Sequence, residues 1–180
     1  KVDNNPQVTQ RVQYITGRLI AQAIPMFPHT QNWEWSIKVI DDPEMVNAWC
    51  MAGGKMAVYT GLIEKIQPTD DELAQVIGHE ISHALANHTA EKMSVAMASQ
   101  LGLMGVVIAS GDSRHRGAVI AASAAAASLA VTLPNSRAAE IEADAMGIEL
   151  AARAGYDPNA AATLWQKMAK IGGASPPEFM

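Results

Sequence analysis

The residues best suited to metal binding and catalysis are the run His79-Glu80-Ile81-Ser82-His83. An α-helix turns about 100° per residue, so His79 and His83 lie roughly 40° apart on one face and can bind one metal ion. A catalytic zinc ion takes three protein ligands, keeps one position open and lowers the pKa of its bound water to about 7. Glu80 lies off the histidine face, but near enough to take a proton from that water and pass it to a leaving amine. The pattern therefore predicts a hydrolytic zinc site.

The five-residue pattern alone also fits a chance grouping on a surface helix. Its flanks, however, are apolar: Val76 and Ile77 lie before it, and Ala84 and Leu85 after it. A surface helix normally keeps one polar face. Two histidines and a glutamate inside so apolar a stretch favour the metal site.

A third ligand must come from elsewhere. A third histidine six residues after His83 would extend the motif, but Thr89 stands there. His88 is one residue short and about 140° from the face of His83. We therefore expect His88 to be a histidine at the helix end or behind the ligands, not a ligand.

The better candidate lies in the segment from Ser136 to Asp144. Glu140 and Asp144 are four residues apart, hence on one helical face. Glu140 can ligate the metal, while Asp144 accepts the free N–H of a ligand histidine. Glu142 points nearly opposite and is expected to be solvated or salt-bridged. An ordinary charged stripe with the same spacing remains open as the alternative.

Helical signals surround both segments. Thr69 and Glu72 form a predicted capping box, which begins the helix that carries the histidines. A second helix is predicted over about 136 to 154, ended by Gly155, and a last one from Pro158 to Gly172.

The first part of the chain predicts one helix and several strands. Apolar residues recur at helical spacing over 8 to 24, with Pro25 and Pro28 predicted to end that helix. Strand-like runs follow over Trp33–Ile40, Val46–Met51 and Lys55–Thr60, the last two paired as a hairpin. Strands early and helices late predict an α+β domain.

Composition limits the function classes. The 180 residues are 49% hydrophobic and carry a net charge of −5, which predicts one domain over 1–180 and gives no electrostatic support for nucleic acid. Cys50 is the one cysteine, so no intrachain disulfide forms. The chain begins at Lys1 instead of Met. We expect a processed chain that has been cut at its C-terminal end. A membrane anchor before Lys1 stays open as an alternative.

Two apolar segments, 93–110 and 117–133, could be taken for a membrane hairpin, which would indicate an intramembrane peptidase. A span needs about 20 apolar residues, whereas these segments are short and rich in Ala and Ser, and Gln100 interrupts the first. We expect a soluble helical pair near the histidine helix.

Three blocks together resemble the gluzincin zinc metallopeptidases, the family of HtpX, the CAAX prenyl proteases and the periplasmic proteases BepA and LoiP. They are Val46–Leu62, Glu72–His88 and Ser136–Pro158, and the resemblance runs from about 6 to 180. Relatives usually have Pro where this chain has Ala52. Periplasmic relatives also continue into a Ser-Thr-His-Pro segment, whose histidine approaches the metal, and this sequence stops before it.

The resemblance implies a zincin-like, mostly helical domain with a small β-sheet whose edge strand lies beside the active-site helix. It implies that Glu140 is the third zinc ligand and that Asp144 supports a ligand histidine. It further implies an edge strand that pairs with an extended substrate backbone, although a plain core hairpin has the same alternation. The residues expected in that strand are Gly54, Lys55, Met56, Ala57, Val58 and Tyr59.

The resemblance also implies an endopeptidase that acts on unfolded or misassembled proteins in the periplasm or envelope, with a lipoprotein anchor as one form of attachment. The alternative is a chaperone-like binder of extended chains without proteolysis. The presence of Glu80 favours the enzyme, because a pure binder does not need that carboxylate.

Overall fold

The computed structural model describes residues 1–3, 5–87 and 137–172, together with the single helical positions 94, 98, 102 and 117. The predicted apolar pair over 93–110 and 117–133 and the tail over 173–180 therefore lie, apart from those positions, outside the described residues. The described elements, in chain order, are α1 (Pro6–Met26), a 3₁₀ helix (Pro28–Asn32), β1 (Ser36–Ile40), β2 (Ala48–Cys50), β3 (Lys55–Tyr59), α2 (Thr60–Ile66), α3 (Asp70–Leu85), α4 (Arg137–Arg153) and α5 (Ala160–Gly172).

The predicted α+β class is confirmed, with small differences at the element ends. Pro25 lies inside α1 instead of ending it, because a proline in the last turn removes only one helical hydrogen bond. The short helix α2 follows β3 without a break, where the sequence suggested only the end of a strand. Of the described helices, none combines the length and the apolar character needed to cross a membrane.

The sheet has the strand order β1-β3-β2, so β3 is its central strand. β1 pairs with β3 in parallel, from Ser36 opposite Lys55 to Ile40 opposite Tyr59. β2 pairs with the other side of β3 as the predicted antiparallel hairpin. The prediction that residues 54–59 form the edge strand is therefore wrong, because a strand paired on both sides has no free row of main-chain groups.

The helix α3 begins as predicted and is the centre of the fold. Thr69 Oγ1 accepts a hydrogen bond from the amide of Glu72, while the Glu72 carboxylate accepts one from the amide of Thr69 at 2.8 Å. Every residue from Glu72 to Leu85 is buried, since α3 packs against α1, α4, α5 and β2. This burial explains the apolar flanks of the histidine motif.

The Glu72 carboxylate also ties α3 to α5. Lys167 Nζ lies 2.6 Å from one of its oxygens, and the Thr163 hydroxyl donates to the other at 2.8 Å. Burial acts to raise the pKa of Glu72, but the hydrogen bonds from Lys167, Thr69 and Thr163 outweigh it and hold the pKa below its ordinary value of 4.5. The ionised carboxylate therefore fixes α5 beside the start of α3.

Replacing Glu72 by Gln is expected to lower the free energy of unfolding at neutral pH by about 1–3 kcal/mol, because hydrogen bonds to a charged group are lost. A carboxyl whose folded pKa is depressed contributes stability that is fully present above its unfolded pKa, near 4.5. That stability is lost as the pH falls through the folded pKa. Urea unfolding at a series of pH values should thus show the parent and the variant converging in acid. Glu64→Gln, at an exposed position, is the control, and a constant difference at every pH would contradict the assignment.

Candidate metal centre

The two histidines of the motif converge on one point. Their Nε2 atoms lie 3.0 Å apart, and His79 and His83 are only 9% and 4% exposed. Both side chains project from the buried helix α3, one turn apart. The helical spacing therefore does bring the two imidazoles together.

Glu140 on α4 reaches the same point. Its Oε2 lies 3.4 Å from Nε2 of His79, and its Oε1 lies 3.4 Å from Nε2 of His83. One ligand atom from each of the three residues lies within 4.8 Å of the others, an arrangement that could hold a metal ion. Zinc bound tetrahedrally at 2.0–2.1 Å places neighbouring ligand atoms about 3.3–3.4 Å apart. The observed separations of 3.0–3.4 Å are of the size that a metal ion of these bond lengths requires between two histidine nitrogens and the two oxygens of the Glu140 carboxylate.

Asp144 supports His79 from the other side of the ring. Its Oδ1 lies 2.8 Å from Nδ1 of His79, so it can accept the Nδ1 proton and leave the Nε2 lone pair directed at Glu140 and His83. Burial works against a charged His79, but the carboxylates of Asp144, Glu140 and Glu80 outweigh it and raise its pKa to about 10. The centre therefore favours a cation. An ordinary solvated stripe would not place both α4 carboxylates against one buried ring.

Glu80 lies beside this centre, 7% exposed. Burial and the charge of Glu140 raise its pKa to about 7, against the opposing effect of His79. Among the residues that the structure describes, none donates a hydrogen bond to its buried Oε1. Buried polar atoms are nearly always satisfied, so this oxygen has free capacity to accept a proton or hydrogen bond from a molecule in the site.

A backbone contact between α3 and α4 determines how closely the α4 carboxylates approach His79. A Cβ on Gly147 would lie only 2.8 Å from the backbone nitrogen of His79, and one on Gly78 would lie 3.0 Å from the carbonyl oxygen of Gly147. The two glycines therefore let the helices touch main chain to main chain, which allows Glu140 and Asp144 to reach His79. Sequence reasoning missed this pair, although Gly78 directly precedes the motif.

The strand beside α3 is β2, and it forms one edge of the sheet. Hydrogen bonds join the ends of β2 to β3: Tyr59 N donates to Asn47 O, and Met51 N donates to Lys55 O. Because bonded and outward-facing residues alternate in an antiparallel pair, Ala48 and Cys50 direct their main-chain groups outward. The outward amide of Ala48 donates to Oδ1 of the neighbouring Asn47 at 2.8 Å.

The opposite edge of the sheet is partly covered. Along β1, Val2 bridges to Ile40, Asp3 N donates to Val39 O, and Asp41 N donates to Lys1 O. Within the described parts of the chain, β2 has no strand on its outer side. β2 therefore offers the open edge nearest the metal centre.

The residues expected in the edge strand have other roles. Met56, Ala57 and Val58 are buried in the core. Lys55 is exposed and pairs with Glu34 at 3.0 Å. Gly54 has φ +88° and lies under the ring of Trp35. The remaining residue expected in that strand, Tyr59, is half-buried at the end of β3.

Two other residues were expected not to be ligands. Glu142 is exposed on α4, and His88 lies outside the described residues.

The thiol of Cys50 is buried at this edge. Burial and the nearby charge of Glu80 raise its pKa, so the thiol remains protonated and is a poor metal ligand. The sequence-based expectation of a buried thiol in a strand is confirmed.

A cavity adjoins the centre between α3, α4 and α5. Its empty space is about 420 Å³, a volume that includes space open to solvent. Its lining residues are Gln75, Val76, His79, Glu80, Asp144, Ile148, Ala161, Leu164, Trp165 and Met168. No signal in the sequence indicated this cavity, because its walls come from three helices that are distant along the chain.

Fold and site together are those of a metallopeptidase catalytic domain, in which a buried helix supplies two histidines and a glutamate and a second helix brings Glu140 to the same point. Comparison with known families leads to the same class. Residues 6–180 match Peptidase family M48, and the chain belongs to that family. The resemblance inferred from the three sequence blocks is thereby confirmed.

Several characterised relatives are metalloendopeptidases. The chain is 37% identical to the mitochondrial metalloendopeptidase OMA1 of Arabidopsis thaliana, over 81% of this chain and 28% of that protein. It is 36% identical to OMA1 of Schizosaccharomyces pombe, over 75% of this chain and 38% of that protein. It is also 26% identical to the Beta-barrel assembly-enhancing protease of Yersinia pestis, over 98% of this chain and 36% of that protein. The chain thus spans less than two fifths of each of these relatives.

Proposed function

We propose that this chain is a zinc-dependent metalloendopeptidase that cleaves extended segments of unfolded or misassembled proteins. The observation that carries the proposal is the convergence of His79, His83 and Glu140 at separations of 3.0–3.4 Å, with Glu80 buried beside them.

The ligand set would be His79, His83 and Glu140, which leaves one position of a tetrahedral zinc ion open. When bound, zinc supplies a Lewis acid that polarises the scissile carbonyl and lowers the pKa of the attacking water. Asp144 holds the Nδ1 proton of His79 and so keeps the imidazole in the ligating tautomer. These roles agree with the distances among the side chains of His79, His83 and Glu140 and with the 2.8 Å contact between Asp144 and His79.

Glu80 is the general base of this proposal. Its carboxylate takes a proton from the attacking water as the water's oxygen bonds to the scissile carbonyl carbon, and later gives that proton to the leaving amine. The unsatisfied Oε1 of Glu80 supports the role, because a carboxylate already bonded to the protein could not accept this proton without losing a partner.

The substrate backbone is proposed to pair with β2, not with the strand predicted from the sequence. β2 lies against α3, and the main-chain groups of Ala48 and Cys50 face its outer side. Strand addition uses main-chain hydrogen bonds and accepts many sequences. An extended, unfolded chain can meet this requirement, whereas a folded protein cannot.

The proposed compartment is the bacterial periplasm or envelope. The support is the relative named Beta-barrel assembly-enhancing protease, which aligns with 98% of this chain. The metalloendopeptidases named OMA1 are mitochondrial, so the proposal is tested by fractionating cells of the source organism and locating the chain with an antibody. Recovery in the cytoplasm would contradict it.

Zinc dependence tests the function most directly. We expect the protein to bind one zinc ion per chain, to lose casein cleavage when a chelator removes the metal, and to regain cleavage when zinc is restored. Asp144→Asn should lower zinc affinity about 10–100-fold, because the variant no longer accepts the His79 proton as a carboxylate does.

Glu142→Gln is the matched control, since Glu142 is exposed on the same helix, and it should leave zinc affinity unchanged. Cleavage that persists without metal, or equal zinc affinity in Asp144→Asn and the parent, would contradict the assignment.

A further inference from the structure

Trp35 directly precedes β1 and packs on the turn that joins β2 to β3. We propose that Trp35 is a positioning residue of the peptidase, which fixes this turn and thereby keeps the outer edge of β2 where an extended substrate can pair with it. This inference rests on the proposed function, in which the substrate backbone pairs with β2, and adds the residue that positions that strand.

The turn from Met51 to Gly54 has little stiffness of its own. Gly53 and Gly54 have φ values of +96° and +88°, a region that glycine adopts freely but at the largest loss of conformational entropy on folding. β2 has only three residues, and an isolated two-stranded hairpin is marginally stable in water. The position of β2 therefore depends in part on contacts from outside the hairpin.

Trp35 supplies such a contact at Gly54. A Cβ on Gly54 would lie 3.0 Å from Cδ2 and from Cε3 of the indole, and 3.1 Å from the Cα of Trp35. The indole ring therefore lies directly on the main chain of the glycine. The amide of the next residue, Ser36, donates to the carbonyl oxygen of Gly54 at 2.9 Å. Ring and backbone together fix the end of the turn from which β3 begins.

Two backbone hydrogen bonds connect this end of the turn to β2. The amide of Gly54 donates to the Met51 carbonyl at 3.0 Å, and the amide of Met51 donates to the Lys55 carbonyl at 2.9 Å. Met51 directly follows Cys50, whose main-chain groups face the outer side of β2. Backbone hydrogen bonds need donor–acceptor distances of about 2.7–3.2 Å, so a displaced turn would weaken substrate pairing at Cys50 first.

The indole ring is itself fixed from the opposite side. Its Nε1 donates to the carbonyl oxygen of Thr30 at 3.0 Å, and the fully buried Thr30 donates its hydroxyl proton to the Phe27 carbonyl at 2.7 Å. The ring of Trp33 packs on that of Trp35, with centroids 5.1 Å apart. Trp35 therefore connects the turn to the 3₁₀ helix, and its ring cannot rotate without losing these contacts.

The test measures cleavage of a peptide long enough to pair with β2 by zinc-loaded Trp35→Leu. This variant should raise KM about 10-fold, the scale of the cost when a binding segment must be ordered first. Its kcat should stay near that of the parent, because a contact that acts on binding alone changes KM and not kcat. Zinc affinity should also be unchanged, since the proposed ligands lie on α3 and α4.

Two further variants separate this role from general packing. Trp35→Phe keeps an aromatic ring on Gly54 but lacks the indole N–H, so its KM should lie between those of the parent and Trp35→Leu. Trp33→Leu removes a side chain of the same size from the same segment, and its KM should match the parent. An equal rise in KM in Trp33→Leu, or a loss of kcat in place of the rise in KM, would overturn the role of Trp35.

Ala52→Pro offers a rescue that does not restore the ring. The hydrogen bond from Gly54 to Met51 closes a four-residue turn whose third residue, Gly53, has a positive φ, as in a type II turn. Proline is favoured at the second position of such a turn, which is the exposed Ala52. Added to Trp35→Leu, it should stiffen the turn and bring KM most of the way back. A KM that stays raised would count against the turn as the route of the effect.

Amide hydrogen exchange measures the positioning without any cleavage. In Trp35→Leu, the amides of Met51 and Gly54 should exchange at least about 10-fold faster than in the parent, because local opening of the turn becomes easier. Amides in the buried part of α3 should exchange as in the parent. Addition of Ala52→Pro should slow the exchange of both turn amides again.

Peptide binding to zinc-loaded Glu80→Gln completes the test. Its affinity for the same peptide should fall about 10-fold when Trp35→Leu is added. Faster exchange together with weaker peptide binding supports the positioning role, even if the parent cleaves nothing and the proposed function fails. Unchanged exchange at the turn, or unchanged peptide affinity, overturns the positioning role and leaves the peptidase function standing.

Discussion

Glu80→Gln should lower kcat for cleavage of casein or a peptide about 10²–10⁴-fold, the usual contribution of a positioned general base. Glutamine keeps the shape of the side chain but cannot take a proton from the attacking water. Glu80 is not among the three residues that converge on the metal position, so zinc affinity should change little. Its raised pKa of about 7 reflects burial, and the neutral amide should therefore be tolerated in the fold.

The outcome is informative only beside controls. Glu64→Gln removes an exposed carboxylate and should cleave like the parent. Zinc content and the urea midpoint of Glu80→Gln should also match the parent. Equal cleavage by the parent and Glu80→Gln would show that Glu80 is not the base. A parent that binds casein tightly without cutting it would favour the chaperone-like alternative.

The candidate site could be predicted from the sequence because its residues form pairs within single helices. His79 and His83 lie in one helix, and so do Glu140 and Asp144, so helical spacing alone places each pair on a common face. The capping box at Thr69 located the start of the first helix, and the structure confirms it. Spacing could not decide whether Glu140 faces the histidines. That required the family resemblance and, in the structure, the crossing of α3 and α4.

The strand order could not be predicted in the same way. The run at 55–60 has the composition expected of either an edge or a central strand, because its pattern reports burial on the faces and not pairing at the edges. β1 reaches β3 in parallel through a connection that carries β2 to the far side. Such pairings are set by tertiary packing. This explains why the hairpin was predicted correctly while its edge strand was assigned to the wrong partner.

Contacts between segments that are distant along the chain also could not be predicted from the sequence. The cavity has walls from three helices, and no one of these helices shows that it borders empty space. The contact of Gly78 with Gly147 is likewise invisible in either helix alone, since an isolated glycine in a helical pattern only lowers the helix propensity.

Gly147→Ala is expected to lower zinc affinity at least about 10-fold, comparable to the loss of a supporting group behind a ligand. The new methyl group would lie 2.8 Å from the His79 backbone nitrogen and 2.9 Å from its Cα. Backbone atoms cannot turn aside as a side chain does, so α4 must move away from α3 and take Glu140 and Asp144 with it. Overpacking of this kind should also cost about 1–3 kcal/mol in the free energy of unfolding.

The matched control for this helix crossing is Gly17→Ala. Gly17 is exposed on α1, and an added Cβ would have no atom within 4 Å among the described residues. Alanine there should stabilise the fold by about 0.5–1 kcal/mol and leave zinc affinity unchanged. Competition with a zinc chelator and urea unfolding measure the two effects. A Gly147→Ala protein that binds zinc like the parent would mean that the ligands do not depend on this contact. A weaker zinc affinity in a protein that still unfolds cooperatively would show that the crossing of α3 and α4 sets the metal geometry.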